Sequence, residues 1–138
     1  MSIPSVGYSG TPLWKKLGMK PAQKVCLLNP PSHYADLTDP LYLQVNLVGE
    51  DSLTPELVHA FVTWRTELVQ VLEKFRHVIH PDGSLWISWP KKIARVPTDI
   101  TEDTIREVGL PMGWVDVKVC AVDEKWSGLK MMIRKELR

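Results

Sequence analysis

Four histidines, six tryptophans and seventeen basic side chains carry most of the chemistry open to this 138-residue chain. Those that collect at the ends of apolar runs matter most. Asn29 and His33 follow Val25–Leu28, and Thr63, Trp64 and Arg65 follow Leu57–Val62. Ser88 and Trp89 end the run Leu85–Trp89, with Lys91, Lys92 and then Arg95 just beyond. Lys125 and Trp126 stand between two alternating runs near the C-terminus. Cations interleaved with indoles suit a flat anionic ligand, a nucleotide or an aromatic acid, held by charge-assisted hydrogen bonds and stacking. The expected ligand-binding set is Asn29, His33, Thr63, Arg65, Ser88, Trp89, Lys91, Lys92 and Trp126. No catalytic residue and no metal ligand is assigned.

Other catalytic signatures are weaker. Gly7-Tyr8-Ser9-Gly10 resembles a nucleophile elbow, but its closing glycine is misplaced and no strand precedes it. His77 and His80 lie at the end of a helical pattern, where they complement the negative helix terminus and lack the further ligands of a metal site. His59 sits inside an apolar strand and reads as a hydrogen-bonded core histidine. Trp86 alternates away from Leu85 and Ile87 and reads as core, as do Trp14 and Trp114.

The elements that must position these groups follow from periodicity. Val25–Leu28 is a continuous apolar run, as in a strand covered on both faces. Leu43–Val48, Leu57–Val62 and Leu85–Trp89 are further strands. Leu68, Leu72, Phe75 and Ile79 recur at helical spacing and mark a long amphipathic helix. A short helix over Leu13–Leu17 is entered through Thr11 and Pro12, and another runs to Leu37. Asp99 with Glu102 resembles a capping box opening a helix from Thr101 to Gly109. Val115–Ala121 and Leu129–Ile133 alternate in polarity, and the six residues Asp123–Gly128 between them require an antiparallel hairpin.

Strands alternating with helices predict one Rossmann-like α/β domain over 1–138, a mostly parallel, doubly wound sheet of about six strands closed by that hairpin. One link strains the scheme. Only Gly49–Glu56 separates the second and third strands, whereas a parallel crossover needs a dozen or more residues. The second strand is therefore expected at an edge, antiparallel, or partly loop. Ligands of such sheets bind outside the carboxyl ends of the parallel strands, where the set named above would gather.

Composition bounds the partners. A net charge of +1 gives no field that would imply nucleic acid, and no apolar run reaches the ~20 residues of a membrane span. Cys26 and Cys120 lie in apolar runs with no CxxC pairing, which suits free thiols in a reducing cytoplasm. A homodimer is the expectation from base rates.

The strand–helix series ending in a hairpin resembles a trimmed class I methyltransferase fold. Across its length the chain also resembles a family of short bacterial proteins classed as a domain of unknown function. That resemblance is carried by Tyr8–Leu13, Leu85–Lys92, Val96–Asp99 and Val115–Lys130 with Trp126-Ser127-Gly128-Leu129-Lys130. It implies a fold and no mechanism. Class I methyltransferases hold S-adenosylmethionine (SAM) over a glycine-rich turn after the first strand. Here that turn is Asn29-Pro30-Pro31-Ser32-His33, where two prolines remove two N–H donors. Glu50 and Asp51 follow the second strand, where that fold keeps a ribose-binding acid. The diproline turn disfavours SAM and leads to the expectation of a non-enzymatic binding module with no cofactor, taking a small anionic or aromatic ligand. A divergent SAM-dependent transferase and an interaction protein using its hairpin edge are the alternatives.

Overall fold

The computed structural model describes residues 10–138, so Tyr8 and Ser9 and most of the elbow-like segment lie outside the described residues. The elements follow in order: α1 (Leu13–Leu17), β1 (Lys24–Leu28), α2 (Tyr34–Leu37), β2 (Asn46–Leu47), β3 (Leu57–Phe61), α3 (Arg65–Val78), β4 (Ser84–Pro90), α4 (Glu102–Gly109), β5 (Trp114–Ala121) and β6 (Trp126–Ile133). All six strands form one sheet in the order β2-β1-β3-β4-β6-β5. β2, β1, β3 and β4 pair in parallel, and β6 runs antiparallel between β4 and β5. The sheet is therefore mixed.

Alternation turns successive side chains of β1, β3, β4 and β6 to opposite faces of the sheet. Val58, Ala60, Leu85, Ile87, Trp89, Leu129 and Met131 face α3 and α4, where Leu68, Leu72, Phe75 and Ile105 meet them. Val25, Leu57, Phe61 and Trp86 face the other way, onto Leu13, Leu17, Tyr34 and Leu41. The amphipathic stripe read from the sequence is thus the buried face of α3. Trp86 is fully buried and its indole N–H donates to Leu17 O at 3.0 Å, tying β4 to α1. Trp114 does the same on the opposite face, donating to Leu72 O at 3.1 Å.

Four expectations are corrected. The second strand is only Asn46–Leu47, because Leu41–Leu43 forms a 3-10 turn. It is an edge strand, but parallel, and its register explains the short link. Leu47 and Leu57 both align with Val25, so the chain leaves β2 at the level where β3 begins. No return along a strand is needed, and no crossover helix. Second, Pro12 is itself the residue before α1 and offers it no side-chain cap. Third, Asp99 does not open α4. Thr101 caps it by accepting from the Thr104 N–H, while Asp99 Oδ1 accepts from Arg65 N–H at the start of α3, 2.7 Å away. Fourth, the alternation along β5 is broken between Asp116 and Lys118, where Val117 is an extra residue in the pairing. Val117 and Val119 are consequently 49% exposed at the sheet edge.

Backbone crowding fixes where β4 begins. A Cβ on Gly83 would lie 2.9 Å from His80 O and 3.0 Å from Glu56 O, both main-chain atoms. Gly83→Ala should lower unfolding free energy by about 1–3 kcal/mol in urea denaturation. Gly49→Ala, where a Cβ meets nothing within 4 Å, should leave it unchanged or raise it by about 0.4–1 kcal/mol. Equal effects at the two positions would contradict this packing.

Candidate functional site

The carboxyl ends of β1, β3 and β4 share one rim with the β5–β6 turn, because β5 is parallel to β4. Two hollows lie along this rim and meet at Asn29. The larger, about 840 Å³, is lined by Leu13, Pro31, His33, Leu37, Asp123 and Trp126 among others. The smaller, about 400 Å³, is lined by Leu28, Asn29, Glu50, Val62, Val71 and Lys74 with their neighbours. Both fall in the size range of small-molecule sites.

Asp123 organises the larger hollow. Its Oδ1 accepts from the Lys125 and Trp126 N–H groups, each at 2.8 Å, which closes the turn. Its Oδ2 accepts from His33 Nε2 at 2.9 Å, across the hollow from the diproline turn. Trp126 presents one edge to Phe61, and the Lys125 ammonium lies 5.4 Å from its ring centroid. In the smaller hollow the Lys74 ammonium sits 3.3 Å from Glu50 Oε1 and leaves the carboxylate at the surface.

The residues expected to bind a ligand are distributed unequally. Asn29, His33 and Trp126 line the larger hollow together. Trp89 is only 8% exposed and packs in the α3–α4 core, whereas Trp126 pairs with Pro90 on the other face. The sheet separates the two indoles. Ser88 is buried and bonded to His59. Thr63 and Arg65 belong to the start of α3: Thr63 N–H donates to Glu67, and the Arg65 guanidinium reaches Glu107 at 3.4 Å. Lys91 borders a further shallow hollow beside Lys125, and Lys92 begins the 3-10 turn that follows.

Residues far apart in the sequence meet in one buried cluster. His59 is fully buried, with the Tyr34 hydroxyl 2.8 Å from Nδ1 and the Ser88 hydroxyl 2.7 Å from Nε2. A neutral imidazole has one donor and one acceptor nitrogen, so the two hydroxyls satisfy it completely. Burial holds the His59 pKa down at about 3 and pushes the Tyr34 phenol up. His59 was legible as a core histidine. Its partners, 25 and 29 residues away, were not.

No protein-family model and no curated protein sequence matches the chain, and the resemblance to a short bacterial family rests on the motifs alone. Solved structures do match. A SAM-dependent methyltransferase from Aquifex aeolicus superposes with a TM-score of 0.60 at 16% identity, over 88% of this chain and 87% of that one. The fibrillarin pre-rRNA processing protein of Methanococcus jannaschii gives 0.58 at 12%, over 83% and 68%. Human N-acetylserotonin methyltransferase, solved with SAM, gives 0.57 at 12%, over 80% of this chain and 47% of that chain. The fold is methyltransferase-like. Among the described residues no helix is long and apolar enough to cross a membrane.

These comparisons correct the expectation of a non-enzymatic module without cofactor: the solved structures that share this fold include SAM-dependent methyltransferases, one of them holding SAM. The two prolines still lack N–H donors, but they do not close the turn to a ligand by their fixed φ. Asn29 itself has φ 52°, the left-handed region that glycine favours and asparagine tolerates. The bend is therefore made before Pro30, and proline at the next two positions does not prevent it.

The buried imidazole makes stability depend on pH. An unfolded His59 takes up a proton near its ordinary pKa of 6.5, whereas the folded one resists until about 3. Its contribution is whole above pH 6.5 and is lost as pH falls toward 3. Between pH 7.5 and pH 5 the wild type should lose about 2 kcal/mol more stability than His59→Leu, by urea denaturation at both values. Parallel losses in the two proteins would show that His59 is not held neutral.

Proposed function

We propose that the chain is a divergent SAM-dependent transferase whose cofactor lies over the left-handed turn at Asn29. One observation carries this reading: Asn29, at the exit of β1, and Glu50, after β2, line one hollow at the carboxyl edge of a methyltransferase-like sheet. Their chemistry suits an adenosyl group. A carboxylate accepts hydrogen bonds from both hydroxyls of a ribose, and Leu28, Val62 and Val71 supply apolar walls. Pro30 and Pro31 offer no N–H, so recognition here falls to side chains rather than to a backbone cradle. When bound, the cofactor supplies a methyl group activated by a sulfonium.

The larger hollow adjoins the smaller one at Asn29 and is the place for the acceptor. Its walls are apolar at Leu13, Leu37, Val122 and Trp126, which suits a flat, uncharged body. His33 gives this hollow a proton acceptor. With Nε2–H donated to Asp123, the lone pair of Nδ1 is free to take the proton that an acceptor hydroxyl or amine must lose.

Isothermal titration with S-adenosylhomocysteine tests the reading. The wild type should bind with micromolar affinity, and Glu50→Ala should weaken binding by about tenfold to a hundredfold, the value of hydrogen bonds to a charged group. Silence at millimolar ligand would end the proposal. Binding untouched by Glu50→Ala would remove the ribose contact from it.

A further inference from the structure

Away from the rim, the α1 face of the hairpin holds an arrangement of like charges that packing does not explain. Trp86, Lys130 and Lys118 stand in register across β4, β6 and β5. Neighbouring strands lie ~4.8 Å apart, so Lys130 and Lys118 are direct cross-strand neighbours. Like charges so placed destabilise a sheet. The Lys118 ammonium lies 6.0 Å from the centroid of the Trp86 ring, which brings it back over the strand that carries Lys130. Burial, reinforced by Lys118 and Lys20, holds the Lys130 ammonium below its usual range. Two residues along β5, burial raises the Cys120 thiol, and the charges of Lys16, Lys118 and Lys91 oppose that rise.

Among the described residues, none of Lys16, Lys20, Lys91, Lys118 and Lys130 forms an ion pair. Two acids also border this face without pairing with these lysines. Glu56 and Asp82 border the hollow that Lys20 and Lys130 share, but Glu56 accepts from Lys24 N–H and Asp82 faces Arg138. Lys20, Lys118 and Lys130 thus stand close together with no ion pair among the described residues. Local arrangements that cost stability are expected where function needs them, and a bound anion would offset this one.

We propose that this face is a second binding site, for a small ligand carrying phosphate groups. Lys118 and Lys130, neighbours across β5 and β6, hold its phosphate together with Lys20, which shares a hollow with Lys130. The site is independent of the cofactor hollow, and its test contains no SAM, so the two proposals fail separately.

The experiment is calorimetric titration of the full chain at low salt with inorganic pyrophosphate and with ADP. Pyrophosphate should bind, and Lys118→Gln and Lys130→Gln should each weaken it by about tenfold, while Lys118→Arg retains affinity because charge is preserved. Both neutral variants should melt no lower than the wild type, since each relieves a like-charge contact. ADP binding in competition with pyrophosphate would assign the phosphates to a nucleotide, and pyrophosphate binding alone to a free anion. No binding of either, or full binding to the Lys118→Gln/Lys130→Gln double variant, overturns the proposal. So does a short oligonucleotide bound by these lysines when neither small ligand is, which would make the face a nucleic-acid surface.

Discussion

β6 runs antiparallel between β4 and the edge strand β5, and that single insertion dictates what stands at the rim. A strand entering the sheet in reverse must come from a hairpin whose turn lies at the carboxyl ends of the parallel strands. The turn Val122–Lys125 is thereby set beside the exit of β1, close enough for Asp123 to bond both its own turn and His33. Gly128 helps the insertion, since a Cβ there would press within 3.3 Å of Trp86 and 3.4 Å of Ser88 Oγ. Without the reversed strand there would be no second wall to the larger hollow.

The two faces of the sheet are built differently. The α3–α4 side is an apolar core and owes its cohesion to burial of side chains such as Leu72 and Phe75, each worth a few kcal/mol, roughly 2–5 when truncated to alanine. The α1–α2 side carries the Tyr34–His59–Ser88 chain inside its apolar packing. A buried polar chain of this kind is favourable only when every group is satisfied, and here none is left over among the described residues. It binds α2 to β3 and β4 directly beneath the diproline turn, so the segment that carries His33 rests on a fixed base.

Much of this was legible from residue pattern. Period-two and period-3.6 spacing located β1, β3, β4 and α3 to within a residue or a few, because burial on both faces leaves an unbroken apolar record. What escaped was tertiary. The Leu43–Val48 run reads as a strand, yet most of it sits at an edge where nothing obliges extended pairing. Asp99 stands where a cap for α4 belongs and serves α3 instead, a choice only the folded chain can make. Trp89 and Trp126 both fall at strand ends in sequence, but register puts them on opposite faces. Prolines at positions 30 and 31 mark the turn after β1 as closed to glycine's conformation, although Asn29 one residue earlier reaches it.

If the chain is a SAM-dependent transferase, the left-handed bend at Asn29 is a cofactor seat rather than a plain turn. Amide spectra of the isotopically labelled protein, recorded while S-adenosylhomocysteine is added, examine that residue by residue. Signals of Leu28, Asn29, Ser32 and His33 should move together with those of Val48–Asp51, while β5 and β6 beyond the turn stay still. Shifts absent from those two segments at saturating ligand, or confined to the lysine face of the hairpin, would contradict it.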